Sequence, residues 1–447
     1  MIRYSPIIFL LSCQGSGSFG IDKGTSGTDT AGASDTDTDT DADTDTDTDT
    51  DTDVDTDTDI TIGTADTGPA GPPPPIPPDW LVDCNGGGDF LTIQDAIDGA
   101  VSGDRIGLNP CTYLERIDFE GKALEIYGID GPALTIIDGS MNGTVVNIEN
   151  GEGLGTRIAG VTITGGDDDD DGSAIEVHEA HLELDDVILT GNGESNAVLY
   201  LNIAWVDLNN VQIFGNDVMD EGSAIWSDSG SLTIDNSDIN CDNGANGIWH
   251  HNMLLLSDSI VQCASGYGMH DYHGEDSIRR STVYGGLAGV YAYDKADLVD
   301  EPDSPTERMI IRNSHIIGGD IGADVRYMTG SFINSIFDGG DIGLYLLEND
   351  DSTWGTGNVY LNADCGVDSD LPFVSSYSAF WNNTTDACNS PVNAAVTTDP
   401  LFVAYPFDAS VQVGSPLIDA GPPGVNFNDV DGTTNDIGIF GGGIPHF

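Results

Sequence analysis

The chain has 447 residues, of which 76 are acidic and 12 basic, giving a formal net charge of −64. A surface this acidic repels phosphate backbones and anionic lipid headgroups, which excludes nucleic acid as a natural partner. Length alone would allow two or three ordinary domains, but the repeats described below favour one elongated unit.

Met1, Ile2 and Arg3 precede an apolar stretch from Ile7 to Leu11 and then Ser12-Cys13. This resembles a bacterial lipoprotein signal. It implies that residues 1–12 are a removed signal peptide and that Cys13 carries lipid and anchors the protein to a membrane. An ordinary cleaved signal or a misassigned start codon is the alternative. Gln14 resembles the signal that routes such proteins to the outer membrane of Gram-negative cells, facing the cell surface.

Residues 13–79 contain few large apolar side chains and form an expected lipid-anchored, disordered linker. Asp alternates with mostly Thr from Asp35 to Asp59. Neighbouring carboxylates in an extended chain lie inside the Debye length of about 8 Å and hold the tether open. A Pro-rich run from Gly71 stiffens its end. Calcium bridging of the Asp run is the alternative.

The ordered body is expected over 80–395. It opens with an amphipathic helix in which Thr92 precedes Ile93, Ala96, Ile97 and Ala100 on one face, suited to covering the apolar end of a solenoid. A unit then recurs: a small residue, an apolar residue, a short strand, a bend and a second strand. The small residue stands at Ala174, Ala197, Ala224, Gly247, Gly268, Gly289, Gly322 and Gly343, mostly 21 to 27 residues apart. That period defines a solenoid, because a unit so short cannot bury its own apolar face without neighbours.

The "TIQDAID" helix, the following "GDRI" and "TYLERI", and the closing "GSPLIDAGPP" and "DVDGTTNDIGIFGGG" are similar to segments of the right-handed parallel β-helix proteins of the pectin-lyase-like superfamily. The resemblance implies an all-β, single-stranded right-handed parallel β-helix, with residues 396–447 as its closing segment. It implies no single activity, since that superfamily holds lyases, hydrolases, esterases, epimerases and binding proteins.

Aligned coils turn strand positions into ladders. One step after the small residue stand Ile175, Val198, Ile225, Ile248, Met269, Val290, Ala323 and Leu344, an apolar column expected in the core. The next position then faces outward: Glu176, Leu199, Trp226, Trp249, His270, Tyr291, Asp324 and Tyr345. Two positions on stand His178, Leu201, Asp228, His251, Tyr272, Tyr293, Arg326 and Leu347. Aromatic rings stack on sugars while carboxylates and Arg bond hydroxyls, so this face is the candidate polysaccharide surface. Aligned rings also support a parallel solenoid by cross-strand packing alone.

A further ladder, Asp186, Asn210, Asn236, Asp258, Arg280, Asn313 and Asn334, marks an expected left-handed bend. Apart from Cys13, six cysteines remain, an even number suited to disulfides. Cys241 and Cys263 share a phase on consecutive coils, which leaves Cys84 with Cys111 and Cys365 with Cys388 as local partners.

Calcium is the one cofactor considered. Its candidate ligands are the run Asp167, Asp168, Asp169, Asp170 and Asp171, and the closing group Asp429, Asp431 and Asp436. A divalent site from His251, His270 and Asp228 lacks any diagnostic spacing, and His250 and Asp271 share an inward phase. The Gly-His-Gly and Arg-x-Lys of pectin hydrolases are not found. The reading is thus a monomeric, lipid-anchored surface protein that binds a glycan or surface polymer. A polysaccharide lyase or glycoside hydrolase on the same face, and a structural surface protein, are the alternatives.

Overall fold

A computed structural model describes residues 77–168, 171–244, 246–294, 308–349, 352–389 and 394–442. Cys13, the Asp/Thr linker up to residue 76, Asp169, Asp170 and residues 295–307 lie outside these residues. The coils wind into a right-handed parallel β-helix of about thirteen turns. Short β-branched strands suit it, because each strand pairs with the strand one turn away and alternates side chains between core and solvent.

Three parallel sheets result. The first runs from Ile117–Asp118 through Gly172–His178, Tyr267–Tyr272, Ala288–Tyr293, Ile321–Arg326 and Ile342–Leu347 to Thr385–Cys388. The second begins at Trp80–Val82 and ends at Val374–Ser376. The third begins at Cys111–Leu114 and ends at Ala394–Val396. Mid-body strands such as Ala197–Ile213 are long enough to bend from sheet to sheet without a break. Among the described residues no helix is long and apolar enough to cross a membrane.

A helix, α1 (Ile93–Gly99), adds Ile93, Ala96 and Ile97 to the core of the first turns. Thr92 Oγ1 accepts from the Asp95 amide at 3.2 Å, and the Glu115 carboxylate accepts from the Ile93 and Gln94 amides at 2.9 and 3.0 Å. Those amides have no partner inside the helix, so Glu115, in the link between the strands Cys111–Leu114 and Ile117–Asp118, supplies one.

The small-residue column has a steric cause. A Cβ on Gly268 would lie 2.7 Å from the carbonyl oxygens of Gly289 and Tyr284, because the third sheet turns into the first there with backbone on backbone. In one coil the alignment of the ladders is off by one residue. Ile175 pairs with Leu199, Glu176 with Tyr200 and His178 with Asn202, across a bulge between Gly172 and Ile175. Leu199 and Leu201 are therefore core residues, and Tyr200 and Asn202 take the outward places expected for them. Ala197 misleads because it stands beside Ser223, one step before the column of small residues.

The bend ladder is observed in full: Asp186, Asn210, Asn236, Asp258, Arg280, Asn313 and Asn334 all have φ between 47° and 54°. A buried hydroxyl ladder follows it directly. Ser237, Ser259, Ser281, Ser314 and Ser335 each donate to the carbonyl two residues earlier, at 2.6 to 2.9 Å. Each also accepts an amide from the preceding turn, at 3.0 to 3.3 Å. One hydroxyl thus satisfies two backbone groups that the left-handed bend removes from the sheets.

All three expected disulfides are present, with Cα separations of 6.4 Å for Cys84–Cys111, 5.1 Å for Cys241–Cys263 and 6.1 Å for Cys365–Cys388. The closing residues lie on the outer face of the third sheet, where Leu417 and Ile437 join Ile336, Val359 and Ala379 in a second apolar cluster. Asn334 and the buried Asn435 exchange amide hydrogen bonds at 3.2 and 3.1 Å across 101 residues of chain.

Candidate functional site

On the outer face of the first sheet the register aligns Glu176, Tyr200, Trp226, Trp249, His270, Tyr291, Asp324 and Tyr345 in one column. Strand alternation puts a second column two residues on, including Asp228, His251, Tyr272, Tyr293 and Arg326. The rings form a continuous series of contacts. Trp226 stacks on Trp249 with centroids 4.1 Å apart, His270 meets Tyr291 at 5.0 Å, and His251 meets Tyr272 at 5.8 Å. Tyr272 then meets Tyr293 at 6.0 Å.

Trp249, Tyr267, His270, Tyr272, Tyr291 and Tyr293 line a depression of about 480 Å³ at the centre of this face. Tyr267 was missed by the ladder alignment because it precedes the small residue Gly268. Its ring fills the gap beside His270 and Tyr291, at 5.2 and 5.1 Å. Tyr327 at the neighbouring bend packs edge-on against Tyr293 at 5.4 Å.

Burial pushes the His270 pKa down to about 4, with the nearby His250 adding to the effect, so its imidazole is neutral at physiological pH and behaves as one more planar ring. At one end of the column Arg326 lies over the Tyr291 and Tyr345 rings at 5.4 and 5.3 Å. Its guanidinium is held bidentately by Asp324, with Nε–Oδ1 2.7 Å and Nη2–Oδ2 2.6 Å. That pairing raises the Arg326 pKa still further. Asp324 is buried, and desolvation pushes its pKa up against the pull of Arg326. At the other end, burial raises the Glu176 pKa while His178 Nε2 faces its Oε1 at 2.6 Å.

The expected metal groupings fare differently. His251 Nδ1 and Asp228 Oδ1 are 3.2 Å apart, but His270 turns to its aromatic neighbours, so that set of three is not assembled. Asp429 Oδ1 accepts from the Gly442 amide at 2.7 Å, Asp431 Oδ1 from the Thr433 amide at 2.9 Å, and Asp436 Oδ1 from the Asp419 amide at 2.7 Å. These carboxylates tie the closing turn to its own backbone. Of the acidic run, Asp168 Oδ2 accepts from Thr144 Oγ1 at 3.5 Å, and the Asp167 backbone pairs with Gly143. Among the described residues, three ligand atoms converge at Glu149, Glu176 and His178, and at His250, Asp271 and Asp276.

No family profile matches the sequence, and no curated protein matches it. Solved structures do. PfbA, a surface adhesin of Streptococcus pneumoniae, is 14% identical, with a TM-score of 0.43 over 66% of this chain and 86% of that one. The catalytic domain of an α-1,3-glucanase, solved with nigerose, is 13% identical, with a TM-score of 0.42 over 66% and 63% of the two chains. Pectate lyase Pel9A is 13% identical, with a TM-score of 0.40 over 78% and 91%. Identities this low transfer no chemistry to this chain.

Proposed function

We propose that the outer face of the first sheet is a binding surface for a neutral polysaccharide. The observation that carries this reading is the depression lined by Trp249, Tyr267, His270, Tyr272, Tyr291 and Tyr293. Five rings and a neutral imidazole there offer planar apolar surfaces, while tyrosine hydroxyls and the exposed Asp228 carboxylate at its margin supply hydrogen bonds to sugar hydroxyls. Neutrality of the ligand follows from charge. The body is strongly acidic, and Arg326 is already compensated by Asp324, so a uronate polymer meets repulsion without a matching cation.

The same pairing supports binding over lyase chemistry. Proton abstraction beside a carboxylate needs a base whose pKa is brought down toward the working pH. The Arg326 pKa instead moves up. In this reading the lipoprotein-like N terminus presents the solenoid from a membrane at the end of a long acidic linker, with calcium in no essential role.

The test is a glycan array with the disulfide-bonded chain, with and without calcium, followed by product analysis of every ligand retained. Retention of neutral glycans without turnover is the expected result. Release of unsaturated or reducing-end products would replace the binding reading with a lyase or hydrolase. No retention would leave a structural surface protein.

A further inference from the structure

Inside the solenoid, behind the aromatic face, the geometry points to a buried site for a first-row divalent cation of the zinc type, held by His250, Asp271 and Asp276. His250 and Asp271 are consecutive members of one inward column of the first sheet, and Asp276 faces them from the second sheet across the corner. All three are at most 2% exposed. His250 Nε2 lies 3.5 Å from Asp271 Oδ1 and 3.2 Å from Asp276 Oδ2. Ligand atoms about 2.0–2.1 Å from a tetrahedral metal are separated by roughly 3.3–3.4 Å, so both observed spacings fit edges of such a tetrahedron.

A second observation concerns the imidazole itself. Both ring nitrogens of His250 are buried without a hydrogen bond, in a protein whose other buried polar groups are mostly paired.

The surroundings are shaped to admit this group. The column that holds His250 and Asp271 is apolar and bulky further along, at Leu201 and Val325, but shrinks to Ser227 and Ala292 on either side of them. Gly274 forms the corner between Asp271 and Asp276. A Cβ there would lie 2.6 Å from Asp271 Oδ1, 2.8 Å from Asp276 Oδ1 and 2.5 Å from the Asn252 carbonyl oxygen, so any side chain at this corner would collide with the carboxylates. Two carboxylates buried this deeply carry a desolvation penalty, and a divalent cation offsets their charge while using the imidazole lone pair. One nitrogen and two oxygens suit zinc better than calcium, which prefers oxygen alone.

The experiment uses the disulfide-bonded chain stripped with a chelator and titrated with ZnCl2. Bound zinc is counted, the melting temperature is followed, and Co²⁺ is substituted to read coordination from its visible absorption. The site predicts one Zn²⁺ per chain with a melting-temperature rise that saturates at one equivalent, no comparable rise with CaCl2, and a tetrahedral Co²⁺ spectrum. His250→Ala and the near-isosteric Asp276→Asn abolish these signals. His251→Ala with His273→Ala, which removes surface imidazoles, leaves them intact. Should His250→Ala fail to fold, Asp276→Asn and the Co²⁺ spectrum decide. No zinc retained by the wild type, or zinc retained equally by Asp276→Asn, overturns the site.

Discussion

Trp249 is the residue on which the binding face turns. It stacks on Trp226 at 4.1 Å on one side and lines the depression on the other. Trp249→Ala is expected to weaken glycan binding by ~1–3 kcal/mol, roughly 5- to 150-fold, as for the loss of a central aromatic anchor. The fold loses the stacked Trp226 pair and the edge contacts with His251 and His270, about 0.5–1.5 kcal/mol per aromatic pair beyond lost burial. Isothermal titration against the best array ligand, beside a thermal melt, separates the two effects.

Two histidines also set a pH response at this scale. Burial lowers the pKa of His270 and of His315 to about 4, against about 6.5 in the unfolded chain. The unfolded state therefore binds more protons between those values. The stability owed to these neutral rings is fully present above about pH 6.5 and is lost as pH falls toward 4. His315 is 4% exposed and its Nε2 lies 2.9 Å from Tyr405 Oη, so replacing it removes its own share of this response. Urea melts of His315→Phe are expected to show a flatter decline over that window, and an unchanged slope would reject this assignment.

Among the elements, the hydroxyl ladder carries the regularity of the bend. Ser281 accepts the Ser259 amide at 3.2 Å and donates to the Arg279 carbonyl at 2.8 Å inside a dry corner. Ser281→Ala leaves a buried amide without its partner and should cost about 1–3 kcal/mol in chemical denaturation. Ser281→Thr, which keeps the hydroxyl, should cost less. The left-handed positions before these serines were legible in the sequence because Asn and Asp tolerate that backbone. The serine's second bond was not, since it depends on the distance between adjacent turns.

The same contrast explains the register error at Ala197. Period-2 patterning identifies which residues alternate, but the bulge after Gly172 shifts the phase by one, and a shift of one exchanges the two faces. Tyr200 drops out of the candidate face for this reason, whereas Tyr267 drops out because it precedes the small residue that sets the phase. The buried trio was only half visible, because Asp276 comes from a different sheet and no linear spacing links it to His250.

For the whole molecule, the core column, the coil period and all three disulfide pairings could be read from the sequence, because each depends on repetition. Cys241–Cys263 closes 22 residues between neighbouring turns. On the chain-entropy account its removal by Cys241→Ala with Cys263→Ala should cost ~3 kcal/mol, measurable as a lower denaturation midpoint with an unchanged slope. The proposed anchor is tested separately: wild type should enter the detergent phase and Cys13→Ser the aqueous phase, and equal partitioning would remove the lipid from the account.

The central claim is that the ladder from Tyr200 to Tyr345 binds a neutral polysaccharide through its rings. The most direct measurement is tryptophan fluorescence titration of the wild type and Trp249→Ala with one neutral oligosaccharide and one uronate oligosaccharide of equal length. The account predicts a saturable change for the neutral ligand in the wild type, ~1–3 kcal/mol weaker in the variant, with little response to the uronate. Equal affinity in wild type and variant, or preference for the uronate, would contradict it.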